Sequence, residues 1–79
     1  MTLIYKGFEL SPAVEHLLDP GEWSTRILIT KHHAHEVKEK VFSASNTFKD
    51  KREAEDHSIE FGKKIVDGHY KGATIADLL

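Results

Sequence analysis

Histidine titrates near neutrality and is the commonest metal ligand. The stretch TKHHAHEVKEK, Thr30 to Lys40, places three of the chain's six histidines within four residues. Zinc requires three or four ligands converging at about 2 Å, and without cysteine these must be His, Asp or Glu. On a strand, His33 and His35 would share a face while His32 pointed away; in a tight turn even that alternation fails. Glu36 is the only nearby carboxylate that could close a site, and His16, His57 and His69 stand apart. A histidine pattern without a closing ligand predicts a solvated turn and no metal site.

Other chemistry is thinner. The chain has no glycine-rich phosphate loop, no nucleophile elbow and no cysteine nucleophile. Its carboxylates group on what reads as the outer face of a helix, and a small core leaves little room for a deep pocket. No catalytic or cofactor-binding residue is expected, and no enzymatic activity.

The elements that must carry these residues can be read from periodicity and turn chemistry. LIYKGFEL predicts a first strand over residues 3–10, with Phe8 and Leu10 facing inward and Gly7 marking a bulge or a close backbone approach. In SPAVEHLLDPGEW, Ser11 and Pro12 could open a short helix to Leu18, or Val14 to Leu18 could continue an extended edge. DPG, Asp19 to Gly21, is a turn signal. The apolar run Ile27-Leu28-Ile29 predicts a second strand over 24–32. EVKEKVFSAS predicts a third over 36–45, joined to the second by a short antiparallel hairpin link.

Residues 51–67 predict a helix signalled at both ends. Asp50 and Glu53 form an acidic capping box, and Gly68 occupies the C-cap position. Ala54, Ser58, Phe61 and Ile65 make an apolar stripe, while Glu60 and Lys64 stand at the i,i+4 spacing on the other side. Gly62, in mid-helix on the stripe, predicts a close approach to the sheet. In the tail, Thr74 predicts the cap of a last half-turn, with Ile75 and Leu78 packing. The expected fold is α+β: a three-stranded antiparallel sheet with one long C-terminal helix on one face, in a single domain over 1–79.

Seventy-nine residues bury only about 60–65% of their unfolded surface, so a domain of this size gains from outside help such as self-association. The absence of cysteine removes disulfides and fits a reducing cytoplasm. MTLIYKGF lacks a signal-peptide pattern, and no apolar run approaches the ~20 residues that span a bilayer. Eleven basic and thirteen acidic residues give a net charge of −2, which offers no overall basic field for nucleic acid.

One helix can cover only one face of such a sheet. Alternation gives Ile27 and Ile29 to one face and Leu28, with Arg26 and Thr30, to the other; Val41 and Phe42 must also point to opposite faces. The second face therefore carries Leu28 and one of Val41 or Phe42, either as ordinary surface or as a partner surface. Trp23 could anchor a core edge or an interface. The candidate interaction surface is Arg26, Leu28, Thr30, Lys38 and Lys40.

Read in order, YKGF at Tyr5 to Phe8, Pro12, TRI at Thr25 to Ile27, EVKEKVF at Glu36 to Phe42, Glu53-Ala54 and KKIVD at Lys63 to Asp67 resemble the HlyU family of small bacterial proteins. The resemblance runs from Tyr5 to Asp67. It departs from the family pattern before the second strand, in SASNTF, and at the histidine-rich hairpin, where the family often has glycine. It implies the β-sheet and helix fold and, through the family's description as transcriptional activators of a haemolysin, a regulator. It carries over no functional residues. Two functions follow as expectations. The first is a non-catalytic binding or regulatory module acting through its open sheet face or as a homodimer. The alternative is a nucleic-acid-binding transcriptional regulator, for which Arg26, Lys31, Lys38 and Lys40 form no single basic stripe. No cofactor and no membrane partner are expected.

Overall fold

The computed structural model describes residues 2–19 and 21–79. Five strands form one antiparallel sheet: β1 (Leu3–Tyr5), β2 (Phe8–Pro12), β3 (His16–Leu17), β4 (Glu22–His32) and β5 (Val37–Phe48). One helix, α1 (Lys51–Val66), follows, and a 3-10 turn over Ala76–Leu78 ends the chain. β4 is the central ribbon, with β2 and β3 along one side of it, β5 along the other, and β1 outside β2. The α+β class and the helix stand, but the sheet has five strands and not three.

Two local features account for the extra strands. The expected first strand folds back on itself at Lys6 and Gly7, whose φ angles of 51° and 84° are both positive. That is the geometry of a two-residue type I′ hairpin turn, which matches the twist of the flanking strands. Leu3 then pairs with Leu10 and Tyr5 with Phe8. The turn keeps Phe8 and Leu10 in the core and swings Ile4 outward. The second feature is the segment after Pro12, which is extended and not helical. Its Ala13 N–H donates to the Arg26 carbonyl at 3.0 Å, and His16 pairs with Trp23 in the register β2 has already set. β3 therefore continues β2 along β4. Of the turn expected at Asp19 to Gly21, Pro20 lies outside the described residues; Gly21 has φ +85°.

β5 outruns its expected end because of a bulge. Thr25 pairs with Ala44, but Ser24 pairs with Thr47, so Ser45 and Asn46 have no opposite residues. The Thr25 hydroxyl donates to the Asn46 carbonyl at 3.0 Å and fixes the irregularity. Bulges bend a strand and let pairing resume beyond them.

The helix ends where its caps dictate. Asp50 accepts from the Arg52 N–H at 2.9 Å, supplying its half of the capping box. At the other end Asp67 is the C-cap rather than the last helical residue. Gly68, at φ +75°, donates to the Ile65 carbonyl and His69 to that of Lys64, the paired bonds of a Schellman motif.

α1 packs over β4 and β2 through a stripe of small residues. Ala54, Ser58 and Gly62, spaced four apart, are all buried, and Phe61 and Ile65 flank them. Small side chains bring the helix axis near the sheet. The Ser58 Oγ lies 3.0 Å from the Arg26 N–H and accepts its hydrogen bond, satisfying a donor where β2 leaves regular pairing after Pro12. Below the helix, Leu10, Ile27 and Ile29 have no exposure at all. The tail closes the far end of the core: Ile75, and not Thr74, is the N-cap of the last turn, the Thr74 hydroxyl accepts from the Ala76 N–H at 3.1 Å, and Leu78 is buried. No helix among the described residues is long and apolar enough to cross a membrane.

Candidate functional site

Cross-strand pairing decides which side of the sheet each candidate residue occupies, because partners share a face. Leu28 pairs with Ser11 on one side and Val41 on the other; Thr30 pairs with Glu9 and Glu39; Arg26 pairs with Ser43. Arg26, Leu28 and Thr30 thus lie together on the face away from α1. Val41 joins them, and Phe42, opposite Ile27, goes to the core.

Lys38 and Lys40 belong to the other face. Lys40 pairs with Ile29 and Lys38 with Lys31, on the helix side beyond the end of the helix. There the C-terminal tail occupies both lysines. Lys40 forms an ion pair with Asp77 at 2.9 Å, which holds Asp77 below the usual carboxylate range, and Lys38 donates to the Leu79 carbonyl at 3.4 Å and also reaches Glu36 at 3.7 Å. The five candidate residues are therefore two groups on opposite faces. Register is the reason: the loop from His33 to Glu36, closed by the His33 N–H donating to the Glu36 carbonyl, pairs His32 with Val37. A slip of one residue would have reversed the outcome.

The open face also carries Ile4, 64% exposed, and Val37, 55% exposed, neither of which stood out in the sequence. The Lys-Gly dipeptide at positions 6 and 7 was the signal that could have revealed Ile4, since a two-residue turn there inverts the parity of everything before it. Val41, at 42%, and the half-buried Leu28 are cross-strand neighbours on this face, while Ile4 stands apart from them across β2, which contributes Glu9 and Ser11 here. Much of the polar content of this face is already engaged. Arg26 is ion-paired with Glu15, the His32 Nε2 lies 2.8 Å from the Glu9 carboxylate, and the Thr2 and Ser11 hydroxyls are 3.1 Å apart.

The histidine cluster resolves into structural contacts. His32 reaches back to β2 through Glu9, while the His33 Nε2 lies 2.8 Å from the Leu78 carbonyl and pins the tail to the hairpin. His35 is exposed at the tip. Among the described residues, no group of three or more His, Asp or Glu side chains is placed to hold a metal ion.

Trp23 lies at the opposite end of the sheet, half-buried, with its ring centroid 4.6 Å from that of His16 and the Lys51 ammonium 5.3 Å above it. The strongest charged cluster ties β1 to the end of α1. Lys6 and Tyr5 both donate to Asp67, at 2.6 and 2.8 Å, and together hold its carboxyl below the ordinary range. The same bonds raise the Lys6 ammonium and the Tyr5 hydroxyl above theirs. This clamp fastens the hairpin and presents no open position to a substrate.

No protein-family model matches the chain, and no curated protein or solved structure does.

Proposed function

We propose that the protein is a small non-catalytic binding module of the cytoplasm whose working surface is the open face of its sheet, with a second copy of the chain as partner. The observation that carries this reading is the set of exposed apolar side chains Ile4, Val37 and Val41, with Leu28 beside Val41, on the face away from α1. Size also supports it. The molecule's broad dimensions of 42 × 24 Å give a face of roughly 1,000 Å2 at most, against the ~800 Å2 per partner of a standard interface. Burying that face would add apolar contact to a core limited by chain length.

The regulator that the HlyU resemblance implies would need several phosphate contacts from one side of the molecule. Arg26 is tied to Glu15 on the open face, whereas Lys38 and Lys40 are held by Leu79 and Asp77 of the tail on the other. A dilution series followed by amide NMR tests the proposal. Concentration-dependent shifts confined to Ile4, Leu28, Val37, Val41 and their neighbours are expected. Shifts on the helix face, or none until duplex DNA is added, would overturn it.

A further inference from the structure

On the helix side, α1 leaves part of β5 uncovered. The sheet residues beneath that gap are Thr25 and its partner Ala44, both short, and the bulge at Ser45 and Asn46 carries the strand outward. The result is a cleft of about 220 Å3 between α1, β5 and the loop after the helix. A closed cavity of about 150 Å3 already accommodates benzene, so one or two fused rings fit this space.

Its walls are aromatic pairs. Phe48 stacks on His57 with centroids 4.4 Å apart and planes 18° from parallel. Phe61 meets Tyr70 edge to face at 4.8 Å. Such walls favour a planar ring, which can stack on one and meet the edge of the other. The polar groups around them are unevenly committed. The Glu60 carboxylate is drawn to Lys63 at 3.4 Å, and not to Lys64 as the i,i+4 spacing had suggested. The Lys64 ammonium makes no ion pair, and the Asn46 amide no hydrogen bond, among the described residues, yet both line the cleft. A single uncommitted cation at the edge of an aromatic-walled cleft suits a single negative charge. Glu60 on the same rim opposes a dianion such as a phosphomonoester.

We propose that this cleft binds a small planar aromatic acid, its ring between Phe48 and Phe61 and its carboxylate on Lys64. The site lies across the sheet from the open face and stands independently of how that face is used.

Indole-3-carboxylate is the probe, added to the full 15N-labelled chain. Saturable amide shifts are expected at Thr25, Ala44, Asn46, Phe48 and His57. Lys64→Met should weaken indole-3-carboxylate about tenfold, the worth of one charge-assisted contact, and leave the binding of uncharged indole unchanged. Phenyl phosphate should bind more weakly than the carboxylate. Lys64 is exposed on the helix, so the variant keeps the fold, which an overlay of the two spectra verifies. The proposal is overturned by an absence of saturable shifts up to ~10 mM, by shifts that map to the open face, or by equal affinity of the Lys64→Met variant for the carboxylate.

Discussion

Alternate residues of β4 live in different solvents. Ile27 and Ile29 are wholly enclosed between the sheet and α1, while Leu28, one residue from each, sits half-buried on the face away from α1, where its neighbour Thr30 is itself buried. The three side chains have nearly equal apolar content, so the difference in what they contribute comes from their surroundings. Under the helix, burial yields about 25 cal/mol per Å2 removed from water and a cavity is costly to open. On the open face much of that gain remains unrealised in the monomer, and the proposed second copy would supply it.

The largest test of this contrast is a pair of truncations. Ile29→Ala should lower stability by about 2–5 kcal/mol, whereas Leu28→Ala should cost less than half as much. Urea denaturation of dilute protein measures both, and equal losses would mean that the open face is packed in the monomer.

The next test removes the polar link between helix and sheet. Ser58→Ala leaves the Arg26 N–H buried without an acceptor, with an expected loss of about 1–3 kcal/mol. A loss of only a few tenths would show that the helix does not sit as near β4 as the 3.0 Å bond places it.

Gly62 sharpens the same point. A methyl group there would lie 3.1 Å from Ile27 Cγ1 and 3.4 Å from both Leu10 methyls, side chains that are wholly buried in the core. Overpacking of about 1–3 kcal/mol then outweighs the ~1 kcal/mol that alanine gains in helix propensity, leaving Gly62→Ala about 1 kcal/mol less stable. A higher urea midpoint for the variant would contradict close packing.

The smallest effect belongs to the clamp at the rim. Because Asp67 is held below its ordinary value of 3.8, its contribution is complete above that pH and is lost as pH falls through the folded value. Tyr5 and Lys6 are raised, so theirs is complete below their ordinary values of 10.0 and 10.5 and is lost at higher pH. The midpoint gap between the wild type and Asp67→Asn should be level through neutrality and narrow at both extremes; a gap that widens in acid would reverse the assignment.

Much of the covered side was legible in the residues themselves. Alternation fixed the faces of Ile27, Leu28 and Ile29, and the caps at Asp50 and Gly68 bounded the helix to within one residue. The open side was less legible because it depends on relations between strands. Nothing local to Ile4 shows that Lys6 adopts a positive φ, which is uncommon for a residue with a side chain. Nothing local to Lys38 and Lys40 shows that a four-residue loop will set them opposite Lys31 and Ile29, separating them from Arg26, Leu28 and Thr30. The bulge that extends β5 has no glycine to announce it.

Sedimentation equilibrium of the wild type and of Val41→Lys tests most directly whether the open face is the working surface. Val41 is 42% exposed beside Leu28 on the face away from α1, so a lysine there leaves the monomer's core untouched. The account predicts that the wild type dimerises as concentration rises and that Val41→Lys remains monomeric with an unchanged fold. A wild type that is monomeric throughout, or a variant that dimerises equally well, would contradict it.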